Sequence, residues 1–388
     1  MQINQKPTLH ASWIDPDAVD IVRRLQNKGY HSYLVGGCVR DLLCYLHPKD
    51  YDIATDALPN EIRKLIFGSY VIGRRFRLVL VKRGAKQFEV ATFRRAGRPE
   101  DFAEPQNEDT PPPVGDNFFG TPEEDALRRD FTINALFFDP VKNELIDYSG
   151  GMADIQAHML RMIGDPSQRI QEDPIRSLRA LRLSHKLKFR IEENLRSAVL
   201  RHADLVAQTV LPRRREEYLK FFRLPDPATA FLELYDLGLM AYCLPSLVSI
   251  FSDSEKQDIF LHYLQGLPDF ADEPNHPLEI YLPLILGYRA AVQNDPVSAE
   301  EEENFLRNEL GMFKGEIAEI QSILQLKNRL KDVELFKRRG HRRQRAFLSH
   351  PNLLLAFRVC QFERELSAND LMFWKDLIHS HLPAAKLF

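Results

Sequence analysis

The feature that most limits what this chain can fold into is a change of period near Asp173. Before it, strand-like alternation and helical spacing take turns. After it, apolar residues recur at helical spacing almost to the end of the 388 residues, and β-branched runs become rare. A chain of this length exceeds a single compact core. We therefore expect an α+β protein: a head of mixed sheet and helices over 1–165, neck helices over 166–225 and an all-helical body over 226–388.

Within the head, Asp15-Pro16 predicts an N-cap followed by a helix to about Asn27. Strands are expected at His31–Val35, Tyr51–Ala54, Tyr70–Ile72, Arg77–Lys82, Gln87–Phe93 and Thr132–Phe138, with a short one at Leu160–Ile163. Helices are expected at Val39–Leu46 and Pro59–Phe67. Residues 97–117 hold five prolines, six acids and few aliphatic side chains, the composition of a solvated, mobile loop. Pro268–Pro277 reads as an interhelical linker.

The strand–turn–helix Leu34-Val-Gly-Gly-Cys-Val-Arg-Asp41 brings the first chemistry. Gly36 and Gly37 let backbone N–H groups approach a phosphate, and Arg40 can neutralise one. An ordinary strand–helix turn would look the same. Lys49-Asp-Tyr-Asp-Ile-Ala-Thr55 sharpens the reading, because alternation puts Asp50 and Asp52 on one strand face. Two such carboxylates repel unless a cation sits between them. Mg²⁺ suits carboxylate and phosphate oxygens, and two ions would serve an attacking 3′-hydroxyl and a leaving pyrophosphate. Glu89, mid-strand between Phe88 and Val90, is the candidate third metal carboxylate, or faces water on an open sheet.

In Glu124-Asp-Ala-Leu-Arg-Arg-Asp-Phe-Thr-Ile-Asn134, Arg128 and Arg129 can fork onto phosphate oxygens. Asp130 and Asn134 can meet a ribose 2′-hydroxyl. In Glu172-Asp-Pro-Ile-Arg-Ser-Leu-Arg-Ala-Leu-Arg182, Asp173 is a natural N-cap. Glu172 or Asp173 can pair with Arg176, whereas Arg179 and Arg182 have no acid three or four residues before them. An Asp accepting and an Arg donating can together read the edge shared by adenine and cytosine, which rejects guanine and uracil.

Formal net charge is −3, against a nucleic-acid binder at first sight, but arginines cluster. Lys337–Arg345 holds six Lys or Arg and one His, and Arg338, Arg339, Arg342, Arg343 and Arg345 form a candidate RNA backbone track. Leu211–Glu217 is a weaker one, since its acids offset its arginines. Four scattered cysteines have no metal-ligand spacing, and no apolar run approaches the roughly 20 residues of a membrane span. Met1–Pro16 has no export pattern, so a cytoplasmic, membrane-free protein is expected.

In this order, LVGGCVRD, PKDYDIAT, FEVATFRR, EDALRRDFTINAL, DYSGGMAD and EDPIRSLRALR resemble the class II tRNA nucleotidyltransferase and bacterial poly(A) polymerase family, over about residues 31–190. The resemblance implies a polymerase-beta-type head, Mg²⁺, ATP and an RNA 3′ end as acceptor. It implies Asp173 and Arg176 as a protein template for the incoming base and Asp130 as the ribose contact. Arg40, Arg128, Arg179 and Arg182 follow as phosphate contacts. Val71–Val81 and Arg338–Pro351 resemble the poly(A) branch, which adds AMP tails. Leu80 stands where that branch commonly has His, and no long basic tail precedes Phe388. The alternatives are a CCA-adding enzyme and, in another class, an inactive RNA-binding protein, against which the intact Asp50, Asp52 and Asp130 argue.

Overall fold

The computed structural model describes residues 3–5, 9, 11–73, 78–97, 118–266, 277–294 and 297–381. The basic run Arg74–Arg77, most of the expected 97–117 loop and nearly all of the 268–277 linker lie outside these residues. Where three segments were expected, compactness divides the chain into two units. One comprises Met1–Arg176 with Lys186–His202, the other Ser177–His185 with Ala203–Phe388.

The first unit is built on an eight-stranded mixed sheet. Its strands are β1 (Ile3–Gln5), β2 (Ser32–Val35), β3 (Asp52–Thr55), β4 (Ser69–Ile72), β5 (Leu78–Arg83), β6 (Lys86–Thr92), β7 (Leu136–Asp139) and β8 (Glu144–Asp147). Their order is β1-β8-β7-β2-β3-β6-β5-β4, and all neighbours are antiparallel except β3 and β6. Helix α1 (Pro16–Gln26) opens as expected: the Asp15 carboxylate accepts from Asp17 N–H at 2.9 Å. Its apolar stripe, Ala18, Ile21, Val22 and Leu25, is fully buried. It packs with α3 (Pro59–Leu65) over one face of the sheet. The opposite face carries the core of Val35, Ala54, Phe93, Ala126, Ala135, Phe137 and Ile146.

The expected strand 132–138 is shortened. Residues Thr132–Asn134 form a 3-10 turn, and β7 begins only at Leu136. The cause lies in the DYSGGMAD segment. Asp147 accepts from the N–H groups of Ser149, Gly150, Gly151 and Met152 at 2.9–3.1 Å. Gly151 is thereby pressed so close to the Thr132 carbonyl that any Cβ would collide with it. Asp154 holds the Thr132 hydroxyl at 2.7 Å. This motif pins the turn that carries Asn134, which begins two residues after Asp130.

The second unit is helical. The buried helix Pro277–Ala291, apolar nearly all round, lies among Ser254–Gln265 and Lys314–Leu330. Trp374 of Ala368–His381 is fully buried, and its indole donates to the Leu330 carbonyl at 2.8 Å. The α+β class and the helical second half are as the sequence periods predict. All four cysteines are free thiols. No described helix is long and apolar enough to cross a membrane.

Candidate active site

Strand alternation decides which side chains of the head can meet. In β6, Phe88, Val90 and Thr92 are buried, so Glu89 and Ala91 turn to the other face. The parallel neighbour β3 sets Asp52 opposite Glu89 and Ala54 opposite Ala91. Adjacent strands lie about 4.8 Å apart, so Asp52 and Glu89 stand as neighbours. Tyr51, between the two aspartates, is buried, with its hydroxyl donating to the Trp13 carbonyl at 2.6 Å. Asp50 sits exposed in the bend before β3, near enough for its charge to act on Asp52.

A recess of about 260 Å³ opens on this face. Asp52 and Glu89 line it together with Val35, Ala54, Ala91, Arg94, Asp125, Arg128 and Arg129. Although Asp52 keeps contact with solvent, the protein crowded round it and then Glu89 push its carboxyl up to about 6; Arg129 opposes this and Asp50 adds to it. Such a pair suits a hard divalent cation. Among the described residues no group of three or more His, Cys, Asp or Glu is set to hold an ion unaided. Mg²⁺ fits a partial set of oxygens, because it keeps waters and takes substrate phosphate.

Asp125, buried in helix α4 (Pro122–Leu127), organises the cations. Its carboxylate accepts from Arg94 N–H at 3.1 Å, Arg128 Nε at 3.1 Å and Arg129 Nη2 at 2.9 Å. Burial alone would raise its pKa, but Arg129 and Arg128 hold it below the usual carboxylate range. Arg129 also donates to the Asn134 carbonyl at 3.2 Å and lies 5.4 Å from the centre of the Phe137 ring. Gly36, at φ +73°, passes so close that a Cβ there would meet Arg129 Nη1 at 2.9 Å. The first glycine of the turn therefore makes room for an arginine, while its own N–H donates to the Leu136 carbonyl at 3.3 Å. Gly37 opens the helix α2 (Gly37–Leu43).

Arg40 is buried rather than presented to the recess. It donates twice to Asp41, at 2.6 and 2.9 Å, and once to the Asn134 amide oxygen at 2.6 Å. Lys186 completes the network on Asp41 at 2.8 Å. With its oxygen taken by Arg40, the Asn134 amide turns its nitrogen to Asp130, at 3.0 Å. Arg40 thus orients the pair expected at the ribose.

Asp173 lies between helix α6 (Pro166–Glu172) and helix α7 (Ile175–Leu187). Arg176 donates to the Arg169 carbonyl at 2.5 Å and to Glu172 at 3.2 Å, as the local spacing allowed. Arg179 and Arg182 belong to the second unit. The acid they lack locally comes from 35 residues on: Arg182 donates to the buried Glu217 at 2.6 Å. Burial would raise the Glu217 pKa, but Arg182, Lys220 and Arg179 hold it down. In the same unit, Arg338, Arg342, Arg343 and Arg345 are exposed and Arg339 partly so, on and beside the helix His341–Leu348, whose Phe347 and Leu348 face inward. Among the described residues, none of the five makes an ion pair.

Asp125, Arg94, Asp41 and Arg169 were not singled out from the sequence. Asp125 was within reach of local reasoning, three and four residues before Arg128 and Arg129. The others act over distances no local pattern encodes.

Paired carboxylates facing an arginine cluster, on a mixed sheet joined to a helical body, place the chain among nucleotidyltransferases. Residues 32–161 match the poly A polymerase head domain, and 188–251 match the probable RNA and SrmB-binding site of polymerase A. The chain is a member of the family of bacterial poly(A) polymerases and CCA-adding enzymes. It is 40% identical to poly(A) polymerase I of Haemophilus influenzae over 63% of its own length and 54% of that protein. It is 35% identical to a CCA-adding enzyme of Lactobacillus helveticus, over 57% of this chain and 53% of that one. The chain therefore spans about half the length of the curated relatives it matches. The crystal structure of the Bacillus stearothermophilus CCA-adding enzyme in complex with CTP superposes with a TM-score of 0.68 at 26% identity, covering 95% of this chain and 84% of that one.

Proposed function

We propose that this protein adds AMP from ATP to RNA 3′ ends, as a template-independent polynucleotide adenylyltransferase. The observation that carries the reading is the recess where Asp52 and Glu89 stand among Arg94, Arg128 and Arg129. Two Mg²⁺ ions held by Asp50, Asp52 and Glu89 would supply an activated 3′-hydroxyl and stabilise the leaving pyrophosphate. Arg128 and Arg129, fixed by Asp125, hold the triphosphate. Asp130, set by Asn134 and Arg40, accepts from the ribose 2′-hydroxyl. Asp173 and Arg176 select the base. Arg179 and Arg182 add positive charge that Glu217 restrains. The exposed arginines from Arg338 to Arg345 track the RNA backbone.

Adenylate addition is preferred because relatives named poly(A) polymerase I match at 38–40% identity and those named CCA-adding enzyme at 33–35%. The CCA-adding reading keeps support from the Bacillus structure in complex with CTP. Incubation with ATP or CTP alone, on tRNA trimmed of CCA and on unstructured RNA, separates them. We expect long A tracts from ATP on the unstructured RNA; two C's from CTP, confined to tRNA, would replace our reading with the other. Asp52→Ala should abolish incorporation and leave RNA binding intact. A wild type without Mg²⁺-dependent incorporation would leave only the RNA-binding class.

A further inference from the structure

Arg169 occupies a position the reading above does not use. It lies in α6, whose start is fixed by the Asp165 carboxylate accepting from Gln168 N–H at 2.8 Å. Its side chain is only 17% exposed. One terminal nitrogen, Nη2, donates to two consecutive main-chain carbonyls, Arg128 at 2.6 Å and Arg129 at 2.7 Å. The other, Nη1, is paired with Glu172 at 2.7 Å. The Arg169 carbonyl accepts from Arg176 at 2.5 Å.

These contacts meet at one residue. The peptide it clamps is the one whose two side chains line the recess with Asp52 and Glu89. Asp125 fixes those side chains from the guanidinium end. Without Arg169, Asp125 would still hold the guanidinium groups, but the backbone carrying them would lose its second anchor. The same residue, 40 positions beyond Arg129, joins this peptide to Arg176.

We propose that Arg169 is a positioning residue for triphosphate binding: it sets the Arg128–Arg129 backbone and couples it to the segment carrying Asp173 and Arg176. The proposal rests on the nucleotidyl-transfer reading for what the recess binds, and takes inorganic tripolyphosphate as its probe.

The test compares wild type, Arg169→Lys and Arg169→Ala as full chains. Calorimetric binding of tripolyphosphate, with and without Mg²⁺, is measured beside KM and kcat for ATP. Arg169→Ala should weaken tripolyphosphate and raise KM for ATP by similar factors of about tenfold, the scale of a charge-assisted contact. The change in kcat should be smaller, and Arg169→Lys, which keeps charge without the planar fork, should fall between. A brace with no part in binding would lower the melting temperature and leave both affinities at the wild-type level; that result overturns the proposal. If the alanine variant does not fold, the lysine variant decides by the same two readouts. A wild type that binds no tripolyphosphate also overturns it. A wild type that binds tripolyphosphate but incorporates no nucleotide refutes the adenylyltransferase reading instead, and the binding comparison then decides on Arg169 alone.

Discussion

The two arginine-rich regions of this protein are built in opposite ways. In the head, Arg128 and Arg129 are held at both ends, by Asp125 on their guanidinium groups and by Arg169 on their carbonyls. In the body, Arg342, Arg343 and Arg345 stand exposed on one short helix and make no ion pair among the described residues. Fixed cations present one arrangement to a ligand and need no ordering when it arrives, which favours a particular triphosphate pose. Mobile cations on an open surface follow any polyanion and act mainly through counterion release. The contrast teaches that arginine count says little about arginine role; the partners decide.

The sharpest way to break this contrast is Asp125→Asn. It leaves Arg128 and Arg129 without their shared carboxylate, and removing one partner of a largely buried pair costs on the order of 3 kcal/mol. We expect a clear fall in melting temperature by calorimetry and a KM for ATP raised about tenfold, with RNA affinity unchanged. Equal losses in ATP and RNA binding would mean the two regions act as one.

Arg342→Ala, Arg343→Ala and Arg345→Ala together should do the reverse. RNA affinity falls, and the slope of log affinity against log salt drops by roughly two, at about 0.7 per phosphate contact on a single strand. KM for ATP should not move. A salt slope equal to wild type would remove this helix from the RNA track.

The smallest expected effect concerns Asp52. Its carboxyl is raised from an ordinary value of 3.8 to about 6 in the folded, metal-free protein. The folded state therefore holds the proton more tightly than the unfolded chain does, and ionised Asp52 opposes folding above about pH 6. Asp52→Asn should raise the melting temperature of metal-free protein at pH 8. The gain shrinks as pH falls through 6 and vanishes below about 4, where both states of the wild type are protonated. Solvent contact keeps the gain at about 1 kcal/mol or less. A stabilisation that persists at pH 3.5 would show that charge is not its cause.

Much of the head is legible in the sequence, and for local reasons. Asp52 and Ala54 share one face of β3 because alternation is a property of the extended backbone itself, whereas Asp50, expected on the same strand face, falls in the bend before the strand. Asp15-Pro16 opens α1 because the cap and the fixed φ of proline act within one turn. The helical second half follows from apolar spacing that any helix must satisfy. The expected strand 132–138 failed at its start because Gly151 and Asp154, from the later helix Gly151–Gln156, bend Thr132–Asn134 into a turn.

The sequence by itself thus determined the order of the motifs, the carboxylate-bearing strand, the change from mixed sheet to helices and the charges available. Only the tertiary structure decided how those charges are used. Pairing of β3 with β6 brings Glu89 beside Asp52. Folding assigns Glu217 to Arg182, turns Arg40 inward onto Asp41 and Asn134, and sets Arg169 on the carbonyls of Arg128 and Arg129. The physical reason is range. Backbone periodicity acts between residues two to four apart, whereas an ion pair or hydrogen bond forms with whatever group the fold brings within about 3 Å.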